Sequence, residues 1–147
     1  MEFLFCNTRT LIIALFILAF NTIASNQAVA AEKKLHSIVF HVNENDPAKW
    51  NKILSIVHNV QQEMGPESVE AEIVVHGDGL YMVKAESEVA NRLTEAQKEG
   101  VVLAACAVTL KRQHLTEQDL QPGVKIVPIG VVEVIRKQEA GWSYVKL

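Results

Sequence analysis

At 147 residues, 49% hydrophobic and 21% charged, the chain has the material for one globular domain with a buried core, and its composition is neither disordered nor collagen-like. A net charge of −3 with no lysine or arginine run leaves no positive field for a nucleic-acid backbone, so nucleic acid is excluded as a partner. Two cysteines, Cys6 and Cys106, limit any disulfide framework to that one pair.

Arg9 precedes an unbroken apolar run, Leu11 to Phe20, and a small-residue stretch ends in Ala28-Val29-Ala30-Ala31 ahead of Glu32-Lys33-Lys34. That succession is the pattern of a secretory signal peptide, and its apolar core is short of the ~20 residues that span a bilayer. The expectation is a signal peptide over residues 1–31, removed after Ala30 or Ala31, and a mature domain over 32–147 that is exported, periplasmic and free of the membrane. Cys6 leaves with the peptide. Cys106 then enters an oxidising compartment unpaired, where cysteines normally come in pairs, and this points to a function for its thiol.

The mature chain opens with a strand, Leu35 to Val42. Asp46 then caps a helix that Pro47 begins, with Trp50, Ile53, Leu54, Val57 and Met64 at helical spacing before Gly65-Pro66 stops it. From Val69 to His76 apolar residues alternate with Glu70, Glu72, Val74 and His76, the pattern of an edge strand. Gly77-Asp78-Gly79 makes a turn, and Leu80-Tyr81-Met82 leads into a second helix through Val89, Leu93 and Ala96. Val101 to Ala105 is wholly apolar and ends at Cys106, which predicts a strand buried on both faces. A short helical segment to His114 follows, then a capped piece at Thr116 to Asp119 and a turn at Pro122-Gly123. The last elements are a strand from Val124 to Ile129, a helix from Val131 to Ala140 and a short strand from Trp142 to Leu147.

This alternation predicts an α/β fold: a single flavodoxin-like domain whose five-stranded, mostly parallel sheet has helices on both faces. The commonest order, 2-1-3-4-5, puts the alternating second strand at an edge and the apolar third strand inside. It also puts a topological switch between strands one and three, so that Asn43 to Asp46 face Cys106 across a crevice, with His76 and Asp78 approaching from strand two.

Two readings of Cys106 stay open. In one it is a small buried hydrophobe closing a core strand. In the other, a helix starting at Ala107 offers unpaired N–H groups that favour the thiolate, the turn through Ala107 and Thr109 lines the site, and Lys111, Arg112 and His114 add positive potential. A single mature cysteine excludes a Cys-x-x-Cys oxidoreductase that resolves its own disulfide. A Cys-His pairing would draw on His41, His76 or His114. His36 and His58 read as structural, and no histidine pair has metal-motif spacing, so no metal site is expected. Gly77-Asp78-Gly79 is too short for a dinucleotide fingerprint and no P-loop occurs, so no cofactor is expected.

The phrases His41-Val42-Asn43 with Asp46-Pro47 and Trp50, Val75-His76-Gly77-Asp78-Gly79-Leu80, Ala105-Cys106 with Thr109, Leu115-Thr116, Asp119-Leu120, Pro122-Gly123 and Val131 together resemble the DsrE/DsrF-like family over nearly the whole mature chain. The resemblance implies a small α/β domain that forms homo-oligomers, often trimers or hexamers, some of whose members carry persulfide sulfur on a cysteine after strand three. Cys106 matches that position, while Ala107 and Val108 stand where relatives usually have Gly-Asn. The function this implies is an exported sulfur carrier or thiol relay working with a sulfur donor or acceptor protein. The alternative is a non-catalytic small-ligand-binding or oligomerisation module with Cys106 buried.

Overall fold

A computed structural model describes residues 35–147; the expected signal peptide lies outside the described residues. Five strands form one sheet: β1 (His36–Val42), β2 (Val69–Val75), β3 (Val102–Cys106), β4 (Lys125–Val127) and β5 (Ser143–Val145). Every pairing is parallel, and the order across the sheet is β4-β3-β2-β1-β5. Between the strands run four α-helices, α1 (Pro47–Met64), α2 (Ala90–Lys98), α3 (Ala107–Arg112) and α4 (Gly130–Glu139). The α/β class, the five-stranded parallel sheet and helices on both faces agree with the sequence.

The strand order differs from the expected 2-1-3-4-5. Strand β2 is central, hydrogen-bonded to both β1 and β3, and its residues from Ala71 to Val75 are all buried. Its alternation marks two unlike buried faces, not one buried and one wet. The apolar side of β2 lies in the larger core, where Phe40, Ile73, Val75, Leu103 and Ala105 of the sheet meet Trp50, Ile53, Leu54 and Val57 of α1, Leu93 of α2 and Leu110 of α3. On the other side Val39, Val74, Ala104 and Val127 pack with Val134 of α4, and Trp142 covers them. Glu72 belongs to that second face; it is 1% exposed and its carboxylate is 2.7 Å from the Lys137 ammonium of α4. A carboxylate so deeply placed needs this partner, and sequence alternation alone does not reveal that it has one.

Local chemistry explains the ends of the elements. Asp46 caps α1, its Oδ1 accepting from the N–H groups of Ala48 and Lys49 at 3.0 and 3.2 Å. The expected helix after Gly79 is divided: a 3₁₀ segment, Gly77–Val83, precedes α2, which begins only at Ala90. A β-carbon on Gly79 would come within 2.5 Å of the Val42 carbonyl oxygen, so this turn crosses the end of β1 at a distance only glycine permits. Strand β1 sends the chain outward through β2, β3 and β4, and α4 brings it back to β5 on the far side of β1. The topological reversal therefore lies between β1 and β5, not between β1 and β3.

Candidate thiol site

Cys106 is the last residue of β3 and the residue preceding α3, in extended backbone conformation. The backbone N–H groups of Val108 and Thr109 at the start of α3, the Thr109 hydroxyl, and the N–H of Gly130 at the start of α4 surround its sulfur and favour the anion. Two helix amino termini thus converge on one sulfur. Burial alone raises a thiol's pKa, but these four donors outweigh it and hold Cys106 below its ordinary value. The Thr109 hydroxyl is fixed in turn by accepting the N–H of Gly77 at 3.1 Å, so its own hydrogen is left for the sulfur.

Gly130 makes the approach of α4 possible. A β-carbon there would stand 3.1 Å from Cβ of His76, 3.2 Å from Cβ of Cys106 and 3.5 Å from Val74, so the helix end sits directly on these side chains. The same three distances place His76 beside Cys106. The β2–β3 register agrees, since Val75 pairs with Ala105 and the next step sets His76 level with Cys106.

His76 continues the row away from the thiol. Its Nε2 is 2.5 Å from Nε2 of His41 in β1, with the rings stacked at 4.8 Å, and Nδ1 of His41 is 2.8 Å from the hydroxyl of Tyr144 in β5. Tyr144 and His41 straddle the topological reversal, at the carboxyl ends of the strands, where parallel sheets offer their sites. Burial, then His76, then Lys146 lower the pKa of His41 to about 4. His76 is lowered as well, first by burial and then by Lys146 and Arg112. Both imidazoles are neutral near neutral pH.

Of the residues expected at the site, Cys106, His76, Thr109 and the N-terminus of α3 at Ala107 come together. Asn43 and Asp46 do not face Cys106, because β2 lies between β1 and β3. Asp46 is spent on capping α1 and Asn43 lies against the turn at Gly77 and Gly79. Asp78 is exposed on that turn. Lys111, Arg112 and His114 are exposed, and of these Arg112 acts on His76. His58 lies 3.3 Å from Glu99 on the surface, away from the thiol. Sequence reasoning missed Gly130 and Tyr144. A glycine directly after a strand and opening a helix is a signal for close backbone approach, whereas nothing local marks Tyr144, which matters only because β5 lands beside β1.

Residues 14–147 match the model of the DsrE/DsrF-like family. No curated protein matches the chain. Among solved structures, it resembles a protein of unknown function, MTH1491, from Methanobacterium thermoautotrophicum. That likeness has 31% identity and a TM-score of 0.73, and covers 76% of this chain and 99% of that one. A conserved protein of unknown function, BT1422, from Bacteroides thetaiotaomicron shares the fold at 12% identity and a TM-score of 0.63, over 76% of this chain and 94% of that one. A family match over all of the described residues, together with a parallel sheet that delivers a cysteine from β3 to two helix amino termini, identifies the chain as a member of the DsrE/DsrF-like family.

Proposed function

We propose that this protein is an exported sulfur carrier that holds sulfane sulfur on Cys106. The observation that carries the reading is the set of donors on the sulfur, from Val108, Thr109 and Gly130, which favours the anionic and nucleophilic form at a strand end. In the reaction, the Cys106 thiolate attacks the outer sulfur of a persulfide donor. A sulfur–sulfur bond forms on Cys106, the donor's own sulfur–sulfur bond breaks, and the donor departs as a thiolate that takes up a proton. Delivery to an acceptor thiol is the same exchange in the other direction, so no external oxidant or reductant is consumed.

The donor and acceptor are thiol-bearing molecules or proteins, and the carrier works as a homo-oligomer, a trimer or hexamer, in the periplasm. Ile129, Val131 and Ile135, exposed at and along α4, supply apolar surface for such assembly. Incubation with a persulfide donor followed by intact-mass measurement tests the proposal. The expected result is one added sulfur atom on the wild type and none on Cys106→Ser; no addition, or equal addition to both, refutes it.

One observation favours a second reading, a ligand-binding module with a covered thiol: Cys106 is only 4% exposed. A thiol-reagent titration separates the two. Rapid labelling of the folded protein supports the carrier, and labelling only in denaturant supports the module.

A further inference from the structure

We propose that His76, His41 and Tyr144 form a proton relay joining the sulfur of Cys106 to solvent. The inference rests on Cys106 as the reacting group of the carrier proposed above, and it extends that reading to three residues on the strands beside β3.

The geometry of the row carries the argument. Two imidazoles facing each other through Nε2 at 2.5 Å can share only one hydrogen between those atoms, so one ring donates and the other accepts. The Tyr144 hydroxyl, 2.8 Å from Nδ1 of His41, can either donate or accept and therefore fits both cases. Among the described residues Nδ1 of His76 has no hydrogen-bond partner, and it belongs to the ring whose β-carbon shares the Gly130 contact with Cys106. At the other end Tyr144 is 41% exposed. The row thus starts on the residue level with Cys106 and ends on a hydroxyl in water.

Two neutral arrangements exist, and one proton converts them. In the first, His76 carries its hydrogen on Nε2 and donates it to His41, His41 donates from Nδ1 to the Tyr144 oxygen, and the tyrosine hydrogen points to water. When an attacking acceptor thiol gives up its proton to Nδ1 of His76, the Nε2 hydrogen passes to His41. The Nδ1 hydrogen of His41 passes to Tyr144, and the tyrosine's original hydrogen leaves to water. The second arrangement results, with Tyr144 donating to His41 and His41 donating to His76. His76 now holds a proton on Nδ1, ready for a departing thiolate. No atom in the row is left charged at either end of the cycle, and protons are conserved.

The surroundings suit this use. The positive groups acting on the pair are Lys146 after β5 and Arg112 on α3, and α4 contributes Gly130, which brings no charge. Both cations oppose a lasting imidazolium, so a proton entering the row is passed on and not stored. His41 and His76 also occupy the sheet face under α4, shielded from the larger core, where two neutral rings in contact need no counter-ion.

The test uses the full folded chain and the Tyr144→Phe and His41→Asn variants with two readouts. Nitrogen NMR of the imidazoles near neutral pH reads the tautomers: one Nε2 protonated and the other bare in the wild type, with the pairing altered in Tyr144→Phe. Hydrogen on both Nε2 atoms, or a charged ring, overturns the relay. The second readout is the rate at which sulfur-loaded protein delivers sulfur to dithiothreitol across pH. Tyr144→Phe and His41→Asn are expected to slow delivery at least tenfold near neutral pH, with free imidazole buffer restoring it, which it would not do for a merely structural defect. Wild-type rates and pH profile in both variants overturn the relay. If the wild type accepts no sulfur the carrier reading fails by itself, and the tautomer measurement then decides the relay alone.

Discussion

Replacing Gly130 by alanine tests how the thiol is held. The added β-carbon would meet His76 at 3.1 Å, Cys106 at 3.2 Å and Val74 at 3.5 Å, against an ordinary carbon–carbon separation of about 3.5–4.0 Å. None of these atoms is the end of a flexible chain, since two are β-carbons anchored to β2 and β3. The first turn of α4 must therefore retreat by roughly half an ångström, and the Gly130 N–H retreats with it. Overpacking of this kind costs about 1–3 kcal/mol, offset by about 0.5–1 kcal/mol from replacing a helical glycine. The expected net loss is about 1–2 kcal/mol. A hydrogen bond to a charged group contributes about 1.5–3 kcal/mol, and losing roughly half of it raises the thiol pKa by about one unit. Thermal denaturation measures the first quantity and the pH dependence of iodoacetamide alkylation the second. A lowered melting temperature with an unchanged alkylation profile would show that the Gly130 N–H does not hold the sulfur. An unchanged melt as well would refute the packing argument.

Three further outcomes follow from the same geometry. Thr109→Val removes a donor to Cys106 and the acceptor for the Gly77 N–H; alkylation should shift to higher pH and urea denaturation should show a loss of about 1–2 kcal/mol. Lys137→Met leaves Glu72 buried without its partner and should cost about 3–5 kcal/mol by urea denaturation, whereas Glu72→Met combined with Lys137→Met should recover most of that loss. His41 has an ordinary pKa of 6.5 and a folded value of about 4, so between these values the unfolded chain binds the extra proton and stability falls as pH falls. The conversion gives about 3 kcal/mol, reduced by solvent screening at this half-buried ring to about 1–2 kcal/mol. Calorimetry from near-neutral pH down to about 4 should show this loss in the wild type and a flatter profile in His41→Gln.

Helices and strands were legible because each element carries its own period and its own stops, such as Asp46-Pro47 at the start of α1 and Gly65-Pro66 after it. The apolar run ending at Cys106 identified β3 and its position inside the sheet. What stayed hidden depends on contacts between distant segments. Glu72 looks like a solvent-facing residue until α4 returns across the sheet and brings Lys137 to it, and this one misleading residue moved β2 from the centre to the edge. The site inherited the displacement: with β2 at an edge, Asn43 and Asp46 line the crevice, but with β2 in the centre it is His76 that stands beside the thiol. Tyr144 enters only because β5 closes the sheet on the other side of β1.

The buried pair of Glu72 and Lys137 has a consequence for alignment. Sliding β2 by one residue would turn Glu72 away from Lys137 and into the packing of Phe40, Ile73 and Leu103, a displacement that an uncompensated carboxylate forbids. Because β2 lies between β1 and β3, one prohibition fixes the heights of three strands at once. The salt bridge sits well below the thiol and touches none of its donors, yet it works as an indexing pin: every folded molecule must present His41, His76 and Cys106 at matching levels.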